Sequence, residues 1–317
     1  MGFSEEIFSL KNNKGEMMYG VVHHPARPNG ALVMMFNIGL HYRVCHSRLF
    51  VRQARDLQNR GFLVVRMDTS KVGYSHGEIP VGRAIDSYDA VQTGLFKDDA
   101  LIFLTYLRDR FRPKKIFFTG LCGGALTAII AGAAAGEVDG VVFIAGPVTV
   151  TSPEYELSTM HPFQADILVA GYLKRLMSPS AWARFFSGRT SYRSLFTSLK
   201  VKLATKFKRD NAGIGEATNM GGDEEENKGD LFNRVFYESF EALMRTERKI
   251  LFLMPELDRA TYDFDSIFAR QVLGHFAQSS HLFKVARIPK ANHTFSTPES
   301  TRCLFEETAN WLNSNLS

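Results

Sequence analysis

Along the chain, short uninterrupted apolar runs alternate with stretches whose apolar positions recur every three or four residues. Ala31 to Phe36 is fully continuous and predicts a strand covered on both faces, Phe62 to Met67 a second buried strand, and Lys115 to Phe118, Gly140 to Ala145, Lys249 to Met254 and His281 to Ile288 further strands. Arg48 to Arg60 is of the second kind, with Leu49, Val51, Ala54 and Leu57 on one side and a stop at Gly61. Asp98 to Phe111, closed by Pro113, and Glu299 to Asn313 predict two more helices, and the Ala-, Leu- and Ile-rich Ala125 to Ala135 a buried one. At the start, Glu6 to Lys11 and Glu16 to His23 alternate polar and apolar residues around Asn12-Asn13-Lys14-Gly15, the pattern of a hairpin. Strands alternating with helices imply a mostly parallel sheet, right-handed crossovers and a site at the carboxyl ends of the strands.

Between Gly146 and Arg248 the alternation breaks. The interval is too long for one crossover and carries its own helical patterns at Phe163 to Met177, Ala181 to Phe186 and Leu231 to Met244. The expected organisation is a core built from 1–146 and 248–317, with a helical cap over 147–247 inserted after the sixth strand. Within that cap, 211–230 is rich in Gly, Asn and Glu and reads as a mobile loop by composition. Gly213-Ile214-Gly215 is not a phosphate loop, because no strand pattern precedes it and no helix pattern follows.

Composition narrows the classes. With 317 residues, 45% of them hydrophobic, the chain can bury a large core. Its 26 phenylalanines suggest aromatics lining a cavity or lid as well as packing that core. A net charge of +5 with mostly scattered basic residues argues against nucleic acid as a partner. The three cysteines, Cys45, Cys122 and Cys303, have no paired spacing, so no disulfide framework is implied. The first residues have neither the charged nor the apolar region of a signal peptide, and no apolar run reaches membrane-spanning length. A cytoplasmic location follows as the expectation, where a free thiol stays reduced.

One stretch carries chemistry. Thr119-Gly120-Leu121-Cys122-Gly123-Gly124 joins a predicted strand to a predicted helix, the Gly-x-Cys-x-Gly form of a nucleophile elbow with cysteine at the centre. A strand that turns abruptly into a helix strains its central residue and crowds the neighbouring backbone, which glycine tolerates. The sulfur is then left at a helix N-terminus, where unpaired N–H groups and the helix dipole favour a thiolate. A nucleophile there needs a base and an orienting acid, in the chain order nucleophile, acid, histidine. His293, between the last strand and the terminal helix, is the histidine at the expected place. Asp258 is the preferred acid and Glu256 the second, both just after the strand ending at Met254. An oxyanion hole requires the N–H of Gly123 and a donor from Asn37-Ile38-Gly39-Leu40, with Ile38 preferred and Leu40 the alternative. Gly39 lets that loop approach a substrate carbonyl, and Gly39 and Leu40 are placed at the substrate. His41, Cys45 and His46 lack the second ligand pair of a zinc site, so neither a metal nor a cofactor is expected.

On these residues the chain resembles the α/β-hydrolases over nearly its whole length. More narrowly, it is similar to the hydrolases associated with exosortase systems of exopolysaccharide-producing bacteria. The segments that carry this are Asn37-Ile38-Gly39 with Arg43 and Arg48; Arg66-Met67-Asp68 leading to Gly73-Tyr74-Ser75; Gly120-Leu121-Cys122; His293-Thr294-Phe295; and Tyr172 to Gly188 with Trp182 and Phe185-Phe186. The chain departs from that group at Cys45 and Ser47, where glycine and histidine are usual. The resemblance implies the α/β-hydrolase fold, with a mostly parallel eight-stranded sheet, and a Cys-Asp-His triad of the kind also found in dienelactone hydrolases.

The chemistry expected is ester or thioester hydrolysis, or acyl transfer, through an acyl-enzyme on Cys122. Trp182 and Phe186 in the aromatic insert point to an apolar acyl or ring-bearing group, on a small molecule or a carrier. The reading from a different class is a hydrolase-fold protein that binds a ligand or partner without turning it over.

Overall fold

Strand residues 31–36 show how the core is divided. Leu32, Met34 and Phe36 enter one apolar cluster, and Ala31, Val33 and Met35 enter a second on the opposite face. That is the two-residue period of a strand buried on both sides. In the computed structural model, which describes residues 4–79, 89–150 and 232–316, eight strands form one sheet: β1 (Ser4–Lys11), β2 (Met17–His24), β3 (Ala31–Phe36), β4 (Leu63–Asp68), β5 (Lys115–Leu121), β6 (Gly140–Ile144), β7 (Lys249–Pro255) and β8 (Phe283–Ile288). Their order is β1-β2-β4-β3-β5-β6-β7-β8. The pairs β1–β2 and β2–β4 are antiparallel and all the others parallel.

Helices cover both faces. On one, α1 (Leu49–Asn59) packs Leu49, Phe50, Ala54 and Leu57 beside Leu304, Ala309 and Leu312 of the C-terminal helix α5 (Pro298–Ser314). On the other lie α2 (Lys97–Phe111), α3 (Gly123–Ala135) and α4 (Arg234–Arg245). Caps account for the helix starts. Asn233 accepts from the Phe236 N–H at 3.0 Å and Thr297 from that of Ser300 at 3.2 Å, with Pro298 in the first turn of α5.

The expected cap extended to residue 247, but the chain divides elsewhere. Residues 1–150 and 232–317 form one compact unit and 151–231 a second. The helix α4 is part of the first: its Phe236, Phe240 and Leu243 are buried in the same cluster as Leu126 and Ile130 of α3. The periodicity marks α4 as a helix but does not say which surface it packs on. The other parts of the expected cap, including Phe163 to Met177, Ala181 to Phe186 and the 211–230 loop, lie outside the described residues. The phenylalanines that are described pack the core. Phe143, Phe236, Phe240, Phe252, Phe264 and Phe268 form a chain of ring contacts with centroids 4.9–6.2 Å apart. Among the described residues, no helix is long and apolar enough to cross a membrane.

Candidate active site

The turn from β5 into α3 puts Cys122 at φ 57° and ψ −122°, outside the comfortable regions for a side-chain-bearing residue. The neighbouring backbone explains the glycines. A Cβ on Gly120 would lie 2.1 Å from the Gly124 carbonyl oxygen, and one on Gly124 would lie 2.4 Å from that of Asn37. The Cys122 N–H is tied to the Ile144 carbonyl at 2.9 Å, which fixes the elbow to β6. Gly123 opens α3, so its N–H has no acceptor within the helix. Cys122 itself is partly exposed.

The acid and the base come from the loops after β7 and β8. Asp258 caps the short helix Arg259–Asp263, its Oδ1 accepting from the Ala260 N–H at 3.2 Å. Its Oδ2 lies 2.6 Å from Nδ1 of His293. Glu256 turns away, accepting from the Lys290 N–H at 2.7 Å. The two loops are joined by backbone bonds from Glu256 to Ile288 and from Leu257 to Ala291, at 3.1 and 2.8 Å. With Nδ1 on Asp258, the other ring nitrogen is free to serve Cys122, whose sulfur is close enough to act on the imidazole electrostatically. Burial opposes charge on His293, but the bond to Asp258 and the influence of Cys122 outweigh it, raising the pKa to about 10. At neutral pH the imidazole is therefore held as imidazolium.

The loop after β3 departs from the expected donor arrangement. Ile38 donates its N–H to the His41 carbonyl at 3.0 Å and accepts from the His41 N–H at 2.9 Å, closing a four-residue turn. Its N–H is thus occupied inside the loop. Gly39 and Leu40 are the central residues of that turn, and neither N–H has an acceptor among the described residues. The turn lies against the elbow: a Cβ on Gly123 would meet the Gly39 Cα at 2.7 Å. Leu40 packs against Val72, Val91 and Phe96. Trp182 and Phe186, expected at the substrate, lie outside the described residues.

Two features of the site were not read from the sequence. Asn37, fully buried, accepts from the N–H and Oγ1 of Thr69 at 3.2 and 2.9 Å and donates to the Gly39 carbonyl at 2.5 Å. Asp68, also fully buried, accepts from the Arg43 N–H at 2.5 Å and from the Arg43 guanidinium. The signal was the co-occurrence of Asn37, Arg43 and Asp68 in the segments that carry the resemblance. Cys45, four residues before α1 begins at Leu49, sits at φ 65° and ψ 170°, a conformation that suits glycine. Burial pushes its thiol up to about 12, so it is no rival nucleophile. No group of three His, Cys, Asp or Glu that could hold a metal occurs among the described residues.

No protein-family model and no curated protein matches the sequence. Solved structures do match in fold. Est1E from Butyrivibrio proteoclasticus, determined with ferulic acid bound, is 12% identical with a TM-score of 0.53, covering 98% of this chain and 99% of its own. An esterase domain from Rhodothermus marinus is 13% identical with a TM-score of 0.53, covering 99% and 100%. An esterase from Pyrococcus furiosus is 13% identical with a TM-score of 0.56, covering 99% and 92%. The chain has the α/β-hydrolase fold.

Proposed function

We propose that this protein is a cysteine-nucleophile α/β-hydrolase that cleaves ester or thioester bonds through an acyl-enzyme, with water or another nucleophile as acceptor. The observation that carries the reading is the 2.6 Å Asp258–His293 pair beside Cys122 on a strained strand-to-helix turn. The esterases among the similar folds agree with it, as does the sequence resemblance to the exosortase-associated hydrolases. Cys122 Sγ attacks the acyl carbon, and the developing oxyanion is stabilised by the Gly123 N–H. The carbon–oxygen or carbon–sulfur bond to the leaving group then breaks, and His293 gives that group its proton. In the second half, His293 takes a proton from the acceptor as it attacks the thioester, and the Cys122–acyl bond breaks to restore the thiolate. Asp258 holds the tautomer and stabilises the imidazolium. Sulfur is a good nucleophile and a good leaving group, so activated acyl groups suit it better than amides. A free thiol nucleophile is best preserved in a reducing compartment, and on that ground we place the protein in the cytoplasm.

The test is intact mass after exposure to a panel of activated esters and acyl thioesters. An adduct of acyl mass on Cys122, absent in Cys122→Ala and lost with time, is the expected result. A chain that is alkylated at Cys122 by iodoacetamide but never acylated would overturn the reading and favour a binding protein on a hydrolase fold.

A further inference from the structure

We propose that Asn37 is a positioning residue of this site: its side-chain amide sets the turn whose free N–H groups, at Gly39 and Leu40, complete the oxyanion hole with Gly123. The inference rests on the acyl-transfer reading above and adds to it the group that aims the second donor.

The bonds that the amide makes fix its orientation. Thr69 presents two donors, its N–H and its hydroxyl, and both point at one atom of Asn37, which must be the oxygen. The nitrogen is left for the Gly39 carbonyl at 2.5 Å. The amide supplies an acceptor to Thr69 and a donor to Gly39 at once, which an ionised carboxylate cannot do. Asn37 is 1% exposed, so neither partner is replaced by water.

The consequence follows from the sheet order. β3 lies between β4 and β5. Thr69 follows β4, and the elbow follows β5. Asn37 therefore draws the Gly39 carbonyl toward the β4 side. The Gly39–Leu40 peptide is trans, so the Leu40 N–H points the opposite way, toward the β5 side. The Ile38 carbonyl is held in the same manner by the His41 N–H at 2.9 Å, which turns the Gly39 N–H out of the closed pair. Gly39 at φ +53° makes this turn possible, and the N atom of Gly39 lies 3.1 Å from where a Gly123 Cβ would be. Two successive N–H groups that have no acceptor among the described residues, beside a helix N-terminus, form an anion-binding concavity. The Leu40 side chain, packed on Val72, Val91 and Phe96, holds the turn from its other end.

The experiment compares two reactions of Cys122 in Asn37→Asp. Acylation by an activated acetyl ester develops an oxyanion; alkylation by iodoacetamide, a displacement at a saturated carbon, does not. Both rates are read across pH, because the ionised aspartate keeps the acceptor for Thr69 but sets a lone pair against the Gly39 carbonyl, whereas the protonated one restores the donor and with it the wild-type rate. Acylation should slow by about ten- to a hundred-fold, with the alkylation rate within about two-fold of wild type and KM little changed. Thr69→Val, which removes one of the two bonds that orient the amide while preserving shape, should lower the acylation-to-alkylation ratio in the same direction by a smaller factor. It also serves if Asn37→Asp does not fold. Equal falls in both rates would make Asn37 a structural residue only, and unchanged rates would give it no role; either overturns the proposal. A wild-type protein that is alkylated but not acylated would instead remove the acyl-transfer reading itself.

Discussion

If Cys122 is the nucleophile proposed above, its backbone strain, its partial exposure and the imidazolium of His293 serve chemistry rather than packing. Replacing it by alanine should abolish turnover and acyl-adduct formation while leaving the urea midpoint close to wild type, because the side chain lies at the rim of the apolar cluster. Loss of folded protein with turnover per folded molecule retained would make it a structural cysteine. The acid can be tested through pH. An imidazolium with its pKa raised to about 10 remains able to protonate a leaving group until the pH approaches that value. The basic limb of kcat/KM should therefore fall near there. Asp258→Asn removes the largest influence raising that pKa, so activity should drop by orders of magnitude and the basic limb should move down toward about 6.5, the unperturbed value. Glu256→Gln, whose carboxylate serves only the Lys290 N–H and is exposed, should change neither by more than a few-fold. Equal effects of the two variants would refute the assignment of Asp258.

The loops after β3 and β4 act as one element. Asn37 reaches Thr69, Arg43 reaches Asp68, Arg66 donates to the Arg43 carbonyl at 3.2 Å, and the Arg43 guanidinium lies over the Tyr74 ring at 5.4 Å. Burial lifts the Asp68 pKa despite the pull of Arg43, so the carboxylate depends on that partner to stay charged. Arg43→Met should destabilise the protein by about 3–5 kcal/mol near pH 7, as expected when one member of a buried pair is removed. The sign with pH follows: with its native pKa raised further, Asp68 in the variant favours the folded state when protonated, so the deficit should shrink toward about pH 4. Arg60→Met, which breaks an exposed pair with Asp56, should cost less than about 0.5 kcal/mol. Urea unfolding at the two pH values measures all three, and equal costs for Arg43 and Arg60 would show that the clamp carries no stability. At this scale the sequence was legible where one pattern had one cause. The apolar runs of β3 to β7 became buried strands, the run with Lys284 and Arg287 became the partly exposed edge strand β8, and Gly-x-Cys-x-Gly became a tight turn because two Cβ positions are blocked by backbone. The Ile38 donor was misjudged because pairing within a four-residue turn leaves no trace in residue types. The stretch from Arg259 to Ser280 was not read, and the last strand was started two residues early at His281: the π and 3-10 segments there do not keep the 3.6-residue period.

At the scale of the whole chain, the question is how far the core unit stands without residues 151–231. The two ends of that interval meet in the core. Thr149 and Phe232 form an antiparallel bridge, and the Asn233 N–H donates to the Val148 carbonyl at 3.0 Å. Asn233 also binds the Gln92 carbonyl at 2.9 Å and caps α4, whose apolar side is buried with α3. Chain that leaves and returns at adjacent points costs only loop-closure entropy, which depends weakly on length. Replacing 151–231 by a short Gly/Ser linker should therefore yield a protein that unfolds cooperatively, with Cys122 still alkylated and still acylated by a short activated ester. If Trp182 and Phe186 contact long acyl groups, as their aromatic character suggests, the ratio of kcat/KM for a long over a short ester should fall in that variant and in Trp182→Ala and Phe186→Ala. A ratio that stays at its wild-type value in all three would show that these aromatics do not contact the acyl chain. Loss of cooperative unfolding in the linker variant would show that the core relies on the insert for its own stability, despite the adjacency of its two ends.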